Sequence, residues 1–249
     1  MDAITPLIPT AKIPPEYQAL VSDFCTRISE SLDSLQSIYM CGSVPKGTAV
    51  PYQSDADFTV VLSKEAGAPL RQHILEQAAH TKSAFPIVPK IDVPICTVDE
   101  VVSNPYDWGF WIRIVSVCIH GRDLSHRVPE LYPSRKLQQT YYEAARTQLP
   151  NSIKTTIAEP QGYRRRQAEI KSLKKLIRAI YSLHLVHEGS WTDDFDDMMS
   201  VIERHTSADD RIVHDLIRCV RNPDLPGDRF EQIAHQAKDY YFTHYAYLE

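Results

Sequence analysis

The sequence predicts an α+β protein, an N-terminal α/β domain built on a small mixed sheet (residues 1–130) followed by a C-terminal helical bundle (residues 131–249). Three observations carry that prediction. The short β-rich runs SIYMC, DFTVVL and KIDVPICTV all lie early in the chain, interleaved with helical periodicity. After VPELYP such runs stop and apolar residues recur at helical spacing to the end. Pro129 and Pro133 punctuate the change.

Taken in order, PPEYQALVSDFCTRISESLDSL opens with two prolines and spaces Tyr17, Leu20, Val21, Phe24 and Ile28 along one helical face. SIYMC is a strand, and a polar glycine loop leads to the strand DFTVVL. APLRQHILEQAAH is a helix, and KIDVPICTV a third strand in which Pro94 marks an irregularity or an edge. The apolar stretch 108–119 is read as a helix. Further helices are expected near 135–147, 163–187, 193–204, 208–221 and 228–247, with Thr192 and Ser207 placed as helix N-termini.

Composition narrows the function classes. No uncharged apolar run is long enough to span a bilayer and the N-terminus lacks a basic start with a long apolar stretch, so a cytoplasmic protein without a membrane partner is expected. Five scattered cysteines with no CxxC pair predict reduced thiols. A net charge of −5 argues against a protein whose main task is to coat nucleic acid. Residues 161–178 run against that average, holding Arg164, Arg165, Arg166, Lys171, Lys174, Lys175 and Arg178 with Glu169 as the one acid.

The chemistry concentrates in CGSVPKGTAVPYQSDADFTVVL. Side chains alternate along a strand, so Asp55 and Asp57 present their carboxylates on one side. Two crowded anions become favourable when a divalent cation joins them, and Mg²⁺ is held by one or two carboxylates plus substrate phosphates. Gly42 permits a sharp turn and close approach of a ligand, and a helix starting after Gly42 and Ser43 aims N–H groups at an anion. Asp92 in KIDVPIC supplies a third carboxylate beside apolar neighbours. Three carboxylates on two metals form a clamp for in-line nucleotidyl displacement.

Gly-Ser, a gap of eleven residues, then Asp-x-Asp between apolar residues, with Asp92 downstream, resembles the DNA polymerase β-like nucleotidyltransferase superfamily. LIRAIYSLHLVHEGSWT in the helical half is similar to the helical domain of aminoglycoside adenylyltransferases of the streptomycin/spectinomycin type. Those enzymes carry a glutamate where this chain has Asp92, and the form Gly42-Ser43-x-x-x-Gly47-Thr48 is also similar to RNA-directed and cyclic-dinucleotide members. The resemblance implies a catalytic nucleotidyltransferase domain over 1–130 and an acceptor-binding domain over 131–249. It implies transfer of AMP from ATP to a hydroxyl of a small cationic acceptor such as an aminoglycoside, with two Mg²⁺ ions. Asp55, Asp57 and Asp92 would be catalytic and hold the metals, and Gly42, Ser43 and Lys46 would contact the nucleotide. Lys174 or Lys175 would supply the basic residue that related enzymes place on a second-domain helix. The alternative acceptor is RNA, such as a tRNA end, or a protein, as in toxin–antitoxin systems.

Two further clusters admit more than one reading. The acids and aromatics of WTDDFDDMM read either as first-turn helix acids or as an acceptor wall formed by Trp191, Asp193 and Asp194. His184 and His187 lack the third and fourth ligands that zinc requires and are read as core or surface histidines.

Overall fold

The computed structural model describes residues 2–222 and 229–246. The chain divides into two compact units, Ile4–Leu131 and Tyr132–Glu249, the second taking in Met1–Ala3. The ends of the last expected helix, 228 and 247, lie outside the described residues.

The first unit contains helix α1 (Pro15–Ser31), strand β1 (Leu35–Cys41), the single-turn helix α2 (Ser43–Lys46), strand β2 (Ala56–Leu62) and helix α3 (Ala68–Ala84). Strands β3 (Ile91–Asp92) and β4 (Ile95–Thr97), helices α4 (Val98–Ser103) and α5 (Trp108–Phe110), and strand β5 (Val117–Gly121) complete it. The sheet is mixed, with order β3-β2-β1-β5 and β4 also on β2; β1 runs antiparallel to β2 and β5, whereas β3 and β4 run parallel to β2. Alternation along β2 sorts its faces: Ala56, Phe58, Val60 and Leu62 join the core that α1 and α3 cover, where Phe24 stacks on Phe58 with ring centroids 4.0 Å apart. Asp57, Thr59 and Val61 therefore point to the other face, where the Trp111 indole N–H donates to Thr59 at 3.0 Å.

Pro94 divides the expected third strand in two. It lacks the N–H a ladder needs, yet its carbonyl accepts from Val60 N at 3.0 Å, so β3 and β4 both hold to β2. The stretch 108–119 is not one helix, which corrects the expectation. After α5 the backbone widens into a π turn over Trp111–Val115, closed by Ser116 N donating to Trp111 O, and residues from Val117 pair with β1. An apolar run of that length does not by itself separate helix from strand.

The second unit is helical: α6 (Arg135–Ala158), α7 (Tyr163–Ser182), α8 (Leu185–Glu188), α9 (Phe195–His205), α10 (Arg211–Arg221) and α11 (Phe230–Ala246). α6 runs beyond its expected end and carries Pro150 inside, because Leu149 and Ile153 on either side are buried. The helix expected over 163–187 breaks after Ser182, and Gly189 in the left-handed region ends α8. No described helix is long and apolar enough to cross a membrane.

Candidate active site

The site in the first unit is built at the C-terminal end of β1 and the N-terminal end of β2. Gly42 adopts φ 80° and ψ −156°, a conformation that side chains resist, and a Cβ there would lie 2.9 Å from Asp57 Oδ2. The missing side chain is what lets the Asp57 carboxylate lie against the loop backbone. Ser43 opens α2, whose first N–H groups, like those of any helix, have no acceptor within the helix. Gly47 closes the turn at φ 76° and donates to Val44 O at 3.1 Å, while Thr48 N donates to Ser43 O at 3.0 Å. Lys12 N donates to Pro45 O at 2.7 Å, which pins α2 from outside, and Lys46 is half-buried on it.

Asp57 is opposite Cys41 in the β1–β2 register and opposite Asp92 in the β2–β3 register. The sheet thus lines up the glycine loop, Asp57 and Asp92 across three adjacent strands, and Asp55 lies two residues before Asp57 at the mouth of β2. All three carboxylates are half-buried. Their side chains are not drawn together: among the described residues no three acids, histidines or cysteines gather closely enough to hold an ion. Asp92 turns toward Lys90, whose Nζ lies 2.5 Å from Asp92 Oδ1. As a donor set, Asp55 and Asp57 beside a glycine loop fit a magnesium-bound polyphosphate. Asp92 fits it in backbone position and would join by rotating away from Lys90.

Burial pushes Cys25 and Cys96 up to about 12 and Cys118 up to about 11, which leaves them as protonated packing groups.

The second unit carries the other predicted residues. On α7 the buried stripe includes Leu173, Leu176, Ile177 and Ile180, and the basic stripe faces away from it. Lys174 Nζ lies 4.9 Å and the Arg178 guanidinium 4.7 Å from the Phe195 ring centre, so one ring holds two cations. Partial burial, then the charges of Arg178 and Lys171, lower the Lys175 pKa. Trp191 donates its indole N–H to Tyr141 at 3.0 Å, and Asp193 lies near enough to bear on both Tyr141 and Arg178. Asp194 caps α9, accepting from Asp196 N at 2.9 Å and Asp197 N at 3.1 Å. Arg165 is not on the solvated face: it is buried, bonded to Glu169 at 2.8 Å and to the Ile157 carbonyl at 2.6 Å, and stacked on Phe230.

Sequence reasoning missed Lys90 and the pair Arg178 and Phe195. Lys90 was accessible, because a residue two before Asp92 shares its face of an extended strand. Phe195 lay in view among the acids of WTDDFDDMM, but nothing local revealed which helix it would meet.

The sequence matches no family model and no curated protein. The fold does have counterparts among solved structures. One is spectinomycin adenyltransferase AAD(9) from Enterococcus faecialis, whose crystal structure holds ATP and spectinomycin; it aligns with a TM-score of 0.58 over 90% of this chain and 98% of that one, at 13% identity. What the two share at that identity is the fold, an N-terminal α/β region with a small mixed sheet followed by helices.

Proposed function

We propose that the chain is a nucleotidyltransferase that moves AMP from ATP to a hydroxyl of a small cationic acceptor of the aminoglycoside kind. The observation that carries this reading is the register that aligns Cys41, the last residue before Gly42, with Asp57 and Asp92 across three neighbouring strands, with Asp55 two residues before Asp57. The likeness in fold to an adenyltransferase solved with ATP and spectinomycin supports it.

The loop from Gly42 through Thr48 offers backbone N–H groups, the Ser43 hydroxyl and Lys46 to a triphosphate. Asp55 and Asp57 would hold Mg²⁺, which when bound offsets the charge of the phosphates and of the leaving pyrophosphate. Asp92 takes the proton of the acceptor hydroxyl as its oxygen forms a bond to the α-phosphorus and the bond to the β-phosphate bridging oxygen breaks. In the second unit, which we assign to the acceptor, Trp191, Asp193 and Tyr141 offer an aromatic and anionic surface to ammonium groups. Lys174, with Lys175 next to it, is held for an anionic group by Phe195. RNA or a protein remains the alternative acceptor class, and the buried Glu169 pair removes Arg165 from the residues that could serve an RNA.

The test is incubation with α-labelled ATP, Mg²⁺ and a panel of acceptors: streptomycin, spectinomycin, tRNA and candidate proteins. Label on an aminoglycoside hydroxyl with release of pyrophosphate is expected. Label that reaches tRNA alone, more weakly as salt rises, would replace the acceptor class. Absence of any transfer would remove the enzymatic reading.

A further inference from the structure

Tyr52 is the one non-glycine residue with a positive φ among the described residues, at 64°, and it sits in the loop that joins the glycine turn to Asp55. L-residues other than glycine, asparagine and aspartate rarely take that conformation, and an aromatic there is a true outlier. Nothing in the packing demands a ring, since the side chain is 71% exposed. Glycine would serve the turn without strain, so the backbone and the side chain disagree about which residue belongs here. Such disagreement concentrates where a side chain is presented to a ligand.

The loop is firmly held. Val50 O accepts from Gln53 N at 3.2 Å and from Ser54 N at 2.9 Å, Val50 N donates to Ser54 Oγ at 2.9 Å, and Tyr52 N donates to Ile87 O at 2.6 Å. That last bond ties the Tyr52 backbone to the segment before β3. Ile87 leads into β3, the strand of Asp92, whereas the glycine loop lies across the sheet at the end of β1. Asp55 follows Tyr52 by three positions, a reach of at most about 10 Å. The Tyr52 backbone is therefore within that reach of Asp55 and tied to the segment that leads to Asp92.

We infer that Tyr52 is an acceptor-contact residue, whose exposed ring receives an ammonium group or the apolar face of a saturated ring of the acceptor beside Asp92. This rests on the reading given under Proposed function. An aromatic face attracts cations through its quadrupole and offers a flat apolar surface with few rotatable bonds to order. A nucleobase contact would instead require the ring on the glycine-loop flank.

The experiment compares Tyr52→Gly, Tyr52→Phe and, as a control for loss of an exposed tyrosine elsewhere, Tyr163→Ala. Spectinomycin and streptomycin serve as acceptors, with calorimetric titration of Mg²⁺ and a non-hydrolysable ATP analogue as a second readout. Tyr52→Gly is expected to raise acceptor KM about tenfold, to leave nucleotide affinity within about twofold, and to keep or raise the melting temperature. Tyr52→Phe should retain most acceptor affinity, and Tyr163→Ala should change nothing. An unchanged acceptor KM in Tyr52→Gly, an equal loss of nucleotide affinity, or a fall in melting temperature would each overturn the assignment. Those outcomes are distinct from a wild-type protein that labels no acceptor, which would overturn the underlying function and this contact with it.

Discussion

Asp57 is the residue on which the proposed site turns, because its carboxylate lies against Gly42 and its backbone pairs opposite Asp92. Replacing Asp55 or Asp57 by alanine removes one of the two carboxylates assigned to Mg²⁺, so transfer should fall by several powers of ten while the protein still folds. Thermal melting without metal, run beside the transfer assay, checks both halves; loss of activity through unfolding alone would contradict the assignment. Asp92→Asn should separate binding from chemistry, since an amide cannot accept the proton: nucleotide affinity stays near that of the wild type and turnover falls by roughly two to four powers of ten. Calorimetry and single-turnover rates read these apart. At this scale the candidate site is legible in part. Asp55, Asp57 and Gly42 announce themselves by spacing, whereas the attachment of Asp92 to Lys90 depends on a rotamer that no spacing encodes.

Among the elements, α7 combines two kinds of arginine that look alike in the text. Arg165 is buried against Glu169, so Arg165→Ala leaves a carboxylate buried without its main partner and should cost about 3 kcal/mol in urea unfolding. Arg164→Ala, on the exposed face, should stay within about 0.5 kcal/mol. The junction of α7, α8 and α9 is sensitive to acid. Burial, then the ring of His205 with which it stacks, holds His184 down at about 4, with His187 and His244 adding to the effect and Glu188 opposing it. An unfolded histidine binds its proton near 6.5, so the unfolded chain gains protons first as pH falls. Stability from this group is complete above about 6.5 and is lost progressively toward 4, by about 3 kcal/mol at most. Glu188, held low chiefly by its hydrogen bond with His205, loses its contribution in the same direction on acidification. Urea midpoints between pH 7.5 and 5 should show the decline, and His184→Gln should flatten it. Helix limits were the least legible feature: the helix expected near 135–147 runs on past the buried Leu149 and Ile153, and 108–119 concealed a change from π turn to strand.

For the molecule as a whole, the α+β class could be read from periodicity, because strands and helices keep different periods and every described strand lies in the first half of the chain, ahead of a helical second half. Strand order could not. That β1 lies between β2 and β5, and that β3 and β4 share one partner, follows from long-range pairing that no local run records. The interruption at Pro94 has a consequence for how the protein behaves at high concentration. An edge made of a two-residue strand and a three-residue strand presents no long row of open backbone groups to a second chain. Edge-to-edge association, the usual first step toward fibrillar aggregates, finds no template along this flank. Pro94→Val would restore a donor and a continuous strand, and light scattering at rising protein concentration should then show the self-association that the proline prevents.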